Sequence, residues 1–216
     1  ILIPQTSDGR VLFAVPWKNY VVVGTTDTHV KKASEEPKAL KEEVDFILKN
    51  AGKYMSVKPK RDDIKSVFAG LRPLAATSNK QSTKEVSRSH KIDISPSGLI
   101  SVLGGKWTTY RKIAEDALNT AISINKLKKK KCKTERTKLF GFKRNVSWSD
   151  PMHVYGSLKK KVESLGGVND NKSLSKKFYI SNNIIEWSII HEMALTVDDI
   201  LARRTRCVFL DSKESK

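Results

Sequence analysis

A strand, two glycines and a helix in direct succession form the feature that most limits how this chain can fold. Leu99–Leu103 is an apolar strand candidate, and Gly104-Gly105-Lys106 follows it without a linker. The helix after it has one apolar face, formed by Trp107, Tyr110, Ile113, Ala114, Ala117, Leu118 and Ala121. Glycines let a ligand approach the backbone, and the first helical turn favours an anion. The junction therefore predicts an anion site, with a tight turn needed only for packing as the alternative.

Alternating apolar residues predict antiparallel strands in the first half of the chain. Arg10–Trp17 and Tyr20–Asp27 are rich in valine and are separated only by Lys18-Asn19, as in a hairpin. Three further strands are predicted at Ser66–Leu71, Glu85–Ile94 and Leu99–Leu103, with a turn at Ser95–Gly98 between the last two.

Helical periodicity predicts one helix in the first half, with Ser34-Glu35-Glu36-Pro37 as its start, apolar residues at helical spacing from Leu40 to Ala51, and Gly52 as its stop. Three more are predicted later, at Val154–Ser164, Asn183–Ala194 and Val197–Thr205, the last with a capping box of Thr196 and Asp199. We expect an α+β fold: a mostly antiparallel part over residues 1–125, a basic linker over 126–145, and a small α-helical C-terminal domain over 146–216.

Positive charge is the main bulk feature, because 41 basic and 23 acidic residues give a net charge of +18. The stretch from Lys126 to Arg144 holds ten basic residues and one acidic residue, and lysines 128–131 are consecutive. Such an excess favours anionic partners. The stretch fits a solvated linker, a contact with anionic lipid, or a nucleic-acid contact.

Other patterns exclude several classes of protein. No apolar run approaches the roughly 20 residues that a membrane helix needs. Cys132 and Cys207 lie in different segments without metal-ligand spacing, which favours a reducing compartment. His191-Glu192 begins like a zinc-protease motif, but Leu195 stands where the second histidine is required, so no metal site is expected. The chain opens at Ile1 within a strand-like run, and we expect it to be a fragment of a longer protein.

Cationic and hydroxyl side chains recur at the predicted strand ends. Arg72 lies between a strand and Pro73, and arginine can hold a phosphate with two parallel hydrogen bonds. Arg10, Arg88 and Lys106 occupy similar places, and Thr25-Thr26 ends a strand. Each residue alone is unremarkable, but together they could form one pocket for a phosphate monoester.

Six motifs carry a resemblance to a known family: Asp8-Gly9-Arg10, Pro16-Trp17, Gly24-Thr25-Thr26-Asp27, Gly70-Leu71-Arg72-Pro73, Ser87-Arg88, and Gly104-Gly105-Lys106-Trp107-Thr108-Thr109-Tyr110-Arg111. In order and spacing they closely resemble FAD-dependent glycerol-3-phosphate dehydrogenases. Glu192-Met193-Ala194 and the segment 202–206 resemble that family's helical C-terminal domain, so the resemblance spans almost the whole chain.

The resemblance implies roles for individual residues. Contact with glycerol 3-phosphate, or a place beside the flavin, is implied for Arg10, Thr25, Arg72, Arg88 and Lys106. Contact with FAD is implied for Gly104, Gly105, Lys106, Trp107 and Thr108, and Lys106 and Arg72 are the expected catalytic residues. Hydride transfer leaves negative charge on the reduced flavin ring, which a helix N-terminus and a lysine would stabilise.

The sequence departs from the family in two respects. It lacks the glycine-rich dinucleotide fingerprint, so an N-terminal FAD-binding domain of the same protein is expected as a partner. Ser89 stands after Arg88, where the family often has an acidic residue. The base that takes the hydroxyl proton is not identified; His90 is available, although a lone histidine on a strand is more often structural.

The expected function is oxidation of sn-glycerol 3-phosphate to dihydroxyacetone phosphate by FAD, with quinone as electron acceptor and oxygen as the alternative. The family includes peripheral membrane enzymes, so an anionic membrane surface on the cytoplasmic face is an expected partner. The isolated fragment is expected to be inactive. A non-catalytic nucleic-acid-binding module is a second hypothesis; it rests on net charge alone, and no nucleic acid is expected.

Overall fold

The chain forms two compact units in a computed structural model that describes residues 1–72 and 89–216. Unit 1 comprises Ile1–Thr26, Lys38–Ala69 and Leu139–Lys216. Unit 2 comprises Asp27–Pro37 and the described part of Gly70–Lys138. Each unit contains an antiparallel sheet and at least one helix, and the predicted α+β class is confirmed.

The strands are β1 (Leu2–Ile3), β2 (Leu12–Trp17), β3 (Tyr20–Gly24), β4 (His90–Ile94) and β5 (Ile100–Gly104). The α-helices are α1 (Lys41–Ala51), α2 (Tyr110–Ile124), α3 (Lys159–Glu163), α4 (Asn182–Glu192) and α5 (Cys207–Leu210). The predicted helix start at Ser34–Pro37 is wrong, because α1 begins after Leu40, where the Glu43 carboxylate accepts from the Leu40 amide. Short 3₁₀ segments lie at Arg61–Asp63, Trp107–Thr109, His153–Leu158 and Val168–Asn171, and a π-helical segment lies at Asp199–Arg204. Within the described ranges, no helix combines the length and the apolar character required to cross a membrane.

The predicted first hairpin is confirmed in unit 1. Strands β2 and β3 pair antiparallel, and Trp17 lies opposite Tyr20 at the closed end, where Lys18 adopts a positive φ of 54°. Alternation along β2 buries Leu12 and Ala14 on one face. Leu12 packs with Ile3 of β1 and with Ala51 at the end of α1, so the helix covers that face of the sheet.

The C-terminal segment of unit 1 is helical, as predicted, and is built around two hydrophobic clusters. The first contains Met152, Val162, Ile184 and Trp187. The second contains Phe178, Ile180, Cys207 and Leu210, with Trp17 and Tyr20 of the first hairpin packed against it. The closed end of the β2–β3 hairpin therefore shares a core with residues that lie more than 150 positions further along the chain.

Unit 2 contains the β4–β5 hairpin and helix α2. Ile94 pairs with Ile100, and the Gly98 amide donates to the Ser95 carbonyl at 2.9 Å, which confirms the predicted turn. Strand β5 ends at Gly104, and a 3₁₀ turn over Trp107–Thr109 leads into α2. The predicted order of strand, glycine pair and helix is confirmed.

One predicted strand is wrong. The described residues of Ser66–Leu71 form no strand. The backbone carbonyl of Lys65 instead accepts hydrogen bonds from the amide and the hydroxyl of Ser212, at 3.1 and 3.0 Å, and the Phe68 ring lies 4.8 Å from that of Phe209. An apolar run becomes a strand only where another strand supplies hydrogen bonds, and none of the described strands pairs with this run. The predicted domain boundaries at residues 125 and 145 stay a prediction.

Candidate flavin- and phosphate-binding site

The open end of the first hairpin holds two of the predicted site residues. Because β2 and β3 are antiparallel, Arg10, just before β2, and Thr25, just after β3, lie at the same end of unit 1. The Arg10 guanidinium lies 4.7 Å from the centre of the Phe46 ring and forms an ion pair with Asp8. These contacts hold Arg10 in one orientation before any ligand binds.

The Asp8 carboxylate compensates the charge of Arg10. Partial desolvation raises the pKa of Asp8, but hydrogen bonds from the Arg10 backbone and guanidinium outweigh it and leave this pKa below its ordinary value. Asp8 is therefore ionised near neutral pH. An anion approaching Arg10 would meet a guanidinium whose Nε–H is already engaged.

Arg72 lies in unit 2, where its guanidinium forms an ion pair with Asp27. About two-fifths of the Arg72 side chain is exposed, at 42%. A guanidinium has five N–H donors, so the group can bind one carboxylate and still present donors to a phosphate. Asp27 ends the Gly24-Thr25-Thr26-Asp27 motif, and its role as the partner of Arg72 was not predicted from the sequence.

The Gly104-Gly105 turn requires glycine at both positions. Their φ values are +69° and +87°, in the left-handed region that other residues rarely adopt. A Cβ atom on Gly105 would lie 2.5 Å from Cδ1 of Ile113 in α2 and 3.3 Å from Cβ of His90. The packing alternative raised by the sequence therefore accounts for Gly105, and the ligand hypothesis depends on the residues that follow it.

The residues after the turn form an exposed cationic helix start. Lys106, Trp107 and Thr108 are all exposed, Trp107 at 85%. The first hydrogen bond of the 3₁₀ turn is donated by the Thr109 amide to the Lys106 carbonyl at 3.0 Å, so the amides of Trp107 and Thr108 precede the hydrogen-bonded ladder. Free amides, the helix dipole and the Lys106 ammonium combine positive charge in one place.

An aromatic pair lies beside this helix start. The rings of Trp107 and Tyr110 stack at a centroid distance of 5.3 Å and an interplanar angle of 26°. Both rings are largely exposed, Tyr110 at 48%. The pair is a flat apolar surface next to cationic groups, which suits an aromatic anion better than a small inorganic one.

His90 proves to be part of a charged network. Its Nε2 atom lies 3.1 Å from Oδ2 of Asp116 in α2, and the Lys112 ammonium lies 2.7 Å from Oδ1 of the same carboxylate. The hydrogen bond from Lys112, and then that from His90, lower the pKa of Asp116. The sequence carried a signal for this contact, because Asp116 is three residues after Ile113 and so shares its face of the helix.

A second network links α2 to the basic segment of unit 2. Arg111 pairs with Glu115 at 2.9 Å within the helix and with Glu135 at 3.6 Å beyond it. The hydrogen bond that Arg111 donates to the Glu115 carboxylate is the main cause that raises the pKa of Arg111. Arg111 is the final residue of the last family motif, and its ion pairs with Glu115 and Glu135 indicate a role in holding the fold together.

The predicted site residues belong to both units. Arg10 and Thr25 belong to unit 1, whereas Arg72 and the segment 104–108 belong to unit 2. Arg88 lies outside the described residues. The convergence of these side chains on one phosphate pocket therefore stays a prediction.

Two family models match this chain. Residues 2–111 match the family model described as FAD dependent oxidoreductase. Residues 100–216 match the one described as C-terminal domain of alpha-glycerophosphate oxidase. The two matches overlap across β5, the Gly104-Gly105 turn and the start of α2, so this junction belongs to both.

Similar proteins include mitochondrial glycerol-3-phosphate dehydrogenases. Those of Mesocricetus auratus and Homo sapiens are each 34% identical over 98% of this chain, which covers 32% of theirs. That of Arabidopsis thaliana is 30% identical over 98% of this chain and 39% of its own length. A solved glycerol-3-phosphate dehydrogenase of Bacillus halodurans, complexed with FAD, has a TM-score of 0.71 and 27% identity over 97% of this chain and 45% of that one.

The chain therefore belongs to the FAD-dependent oxidoreductases, a class whose cofactor is FAD. Within that class its relatives are the glycerol-3-phosphate dehydrogenases, and the resemblance predicted from the six motifs is confirmed. The chain spans about a third of the length of the curated relatives it matches.

Proposed function

We propose that this chain is the C-terminal portion of a flavoprotein that oxidises sn-glycerol 3-phosphate to dihydroxyacetone phosphate. The observation that carries the proposal is the cationic helix start at residues 104–108, in a chain that belongs to the FAD-dependent oxidoreductases. When bound, FAD would supply the acceptor for the hydride that leaves C2 of the substrate, and the hydroxyl proton would be lost to a general base. Lys106 and the amides of Trp107 and Thr108 would stabilise the negative charge that develops on the flavin ring.

The remaining cations would bind the substrate. Arg72 has five N–H donors, more than its ion pair with Asp27 requires, and would bind the phosphate together with Arg10, Arg88 and Lys106, while Thr25 would donate a hydroxyl. Pairing with Asp8 and Asp27 supports this role, because it fixes the two guanidinium groups before the substrate arrives. Arg72 and Lys106 are the proposed catalytic residues.

The proposal includes an N-terminal FAD-binding domain of the same protein. None of the hydrophobic residues in the described part of unit 2 is buried, although α2 is amphipathic. Leu118 is 64% exposed, and Val102 and Leu103 of β5 are 42% and 44% exposed. A face of this kind in a domain of an enzyme family supports packing against another part of the protein.

Quinone is the proposed electron acceptor, at an anionic membrane surface on the cytoplasmic face. The lysines at 128–131 support the surface contact, since all four are exposed and none belongs to an ion pair with another described residue. An oxidase that uses oxygen is the second candidate. It is favoured by the match of residues 100–216 to a domain named after alpha-glycerophosphate oxidase.

The test is a single-turnover measurement on the complete flavoprotein, with FAD bound and oxygen excluded. Glycerol 3-phosphate should bleach the flavin absorption, whereas glycerol with inorganic phosphate should not. Reoxidation by a soluble quinone analogue and by dissolved oxygen then distinguishes the dehydrogenase from the oxidase. The 216-residue chain alone should purify without stoichiometric FAD. A flavin that is not bleached by glycerol 3-phosphate contradicts the proposal.

A further inference from the structure

One polar side-chain contact joins the two elements on either side of the Gly104-Gly105 turn. His90 is the first residue of β4, and Asp116 lies in the second turn of α2. His90 Nε2 and Asp116 Oδ2 are 3.1 Å apart, with side-chain exposures of only 21% and 29%. The contact is therefore shielded from water on most sides, and it spans elements separated by 26 positions in the sequence.

The strand register places His90 directly beneath the turn. His90 pairs with Gly104 at the end of the β4–β5 ladder. Its Cβ atom lies 3.3 Å from the place where a Cβ of Gly105 would lie, and Cδ1 of Ile113 lies 2.5 Å from the same point. His90 and Ile113 therefore form two walls around Gly105, one from the hairpin and one from the helix.

The contact has a defined donor and acceptor. The hydrogen bond from Lys112 keeps the pKa of Asp116 low, so its carboxylate is ionised and can only accept. Nε2 of His90 must then carry the proton and donate it. Asp116 lies six residues beyond the first residue of α2, which is about 9 Å along the helix axis. An anchor at that distance controls the angle at which the helix start leaves the turn.

We propose that His90 and Asp116 are positioning residues, which set the angle between the β4–β5 hairpin and α2 and thereby fix the helix start at residues 104–108. The inference rests on the proposed function, in which that helix start faces the flavin. Neither residue needs to touch FAD or substrate. Their contribution is to hold the Lys106 ammonium and the Trp107 and Thr108 amides in the arrangement that stabilises the reduced ring.

The experiment compares Asp116→Asn with Glu115→Gln in the complete flavoprotein. Glu115 is the matched control, because it forms an ion pair of similar exposure on the same helix, but with Arg111 instead of with β4. For Asp116→Asn we expect the FAD dissociation constant to rise about tenfold and flavin reduction at saturating substrate to slow about tenfold, with KM within about twofold. The flavin midpoint potential should fall, and Glu115→Gln should match the wild type in every measurement.

Replacements of His90 test the donor directly. In His90→Gln the amide nitrogen can take the place of Nε2, so flavin reduction should be retained, whereas His90→Leu should behave like Asp116→Asn. His90→Leu leaves Asp116 paired with Lys112. If Asp116→Asn does not fold, His90→Leu is compared with Glu115→Gln in its place.

Hydrogen exchange reports on the turn without any flavin. Amides of residues 101–110 should exchange faster in Asp116→Asn than in Glu115→Gln. Equal exchange, together with an equal midpoint potential and an equal reduction rate, would overturn the positioning role. A wild-type flavin that glycerol 3-phosphate fails to reduce would instead refute the proposed function, and the exchange comparison would still decide whether the pair fixes the turn.

Discussion

At the scale of single residues, the predicted cationic site residues differ in whether a carboxylate neutralises their charge. Arg10 pairs with Asp8 and Arg72 pairs with Asp27, so each guanidinium already has an anionic partner. Among the residues that the structure describes, no carboxylate pairs with Lys106. Paired guanidinium groups are suited to holding a substrate in place, whereas an uncompensated ammonium at a helix start suits charge that appears only during the reaction.

Arg72→Ala in the complete flavoprotein should raise KM for glycerol 3-phosphate by about 10- to 100-fold, because charge-assisted hydrogen bonds to phosphate are removed. FAD content should stay unchanged. Arg61→Ala is the control, since Arg61 forms a comparably exposed ion pair with Asp45. Steady-state kinetics check both variants, and an unchanged KM for Arg72→Ala would remove this residue from the phosphate pocket.

Gly105→Ala and Gly98→Ala separate backbone strain from packing. Both glycines have nearly the same positive φ, +87° and +86°, but only Gly105 has neighbours within 4 Å of the added methyl group. Gly98→Ala should lower the free energy of unfolding by about 1 kcal/mol, and Gly105→Ala by about 2 to 3 kcal/mol, because Ile113 must also move. Urea unfolding measures the free energy of unfolding of both variants. Equal decreases would show that the Ile113 side chain moves away from the added methyl group at no cost in stability.

At the scale of secondary-structure elements, the helix termini obey local rules. The predicted capping box before the π-helical segment is present: the Asp199 amide donates to the Thr196 hydroxyl at 3.2 Å, and the Thr196 amide donates to the Asp199 carboxylate at 3.0 Å. Helix α4 is capped at its start by Ser181, whose hydroxyl accepts from the Ile184 amide, and at its end by Met193, which has a left-handed φ of 58°. These ends are determined within four residues of sequence, which is why they could be predicted.

The Asp199 cap predicts a pH-dependent stability. Hydrogen bonds from the Leu195 and Thr196 amides hold the pKa of Asp199 below its ordinary value. A lowered folded-state pKa stabilises the protein above the unfolded pKa of about 3.9, and this contribution is lost as the pH falls through the folded value. Asp199→Asn should therefore be less stable than the wild type at pH 7, and the difference should shrink in acid.

The matched control for this cap is Asp198→Asn, which removes a neighbouring charge at the same helix start without removing a cap. Urea unfolding at pH 7 and at pH values below about 3.9 gives the comparison. A stability difference for Asp199→Asn that did not depend on pH would mean that the carboxylate charge is not what stabilises this helix start.

At the scale of the whole molecule, charge and apolar surface are distributed unequally. All three hydrophobic clusters belong to unit 1, whereas lysines 128–131 and the exposed face of α2 belong to unit 2. A net charge of +18 acts over the whole surface, but four adjacent lysines concentrate it at one place. Among the described residues, unit 2 therefore combines the densest run of lysines with the absence of a buried hydrophobic cluster.

Replacing the four lysines at 128–131 with glutamine should weaken binding of the complete flavoprotein to vesicles that contain anionic lipid. Each lysine near such a surface contributes about 1 kcal/mol, so the apparent Kd should rise by about a thousandfold at most. The control removes the same charge at Lys53, Lys58, Lys172 and Lys176, which are also exposed. Vesicle co-sedimentation measures both variants, and equal binding by the two would argue against a membrane role of the run.

The sequence alone determined the features that depend on near neighbours. The Lys18-Asn19 hairpin, the Ser95–Gly98 turn and the Thr196 cap follow from residues a few positions apart, and the family motifs follow from order and spacing. Only the tertiary structure decided which distant groups meet. The Ser66–Leu71 run forms no strand because no described strand pairs with it, and its Phe68 ring packs against Phe209, while His90 acquires Asp116 as a partner. The physical reason is that local preferences act along the chain, whereas strand pairing and ion pairs depend on contacts that exist only once the chain has folded.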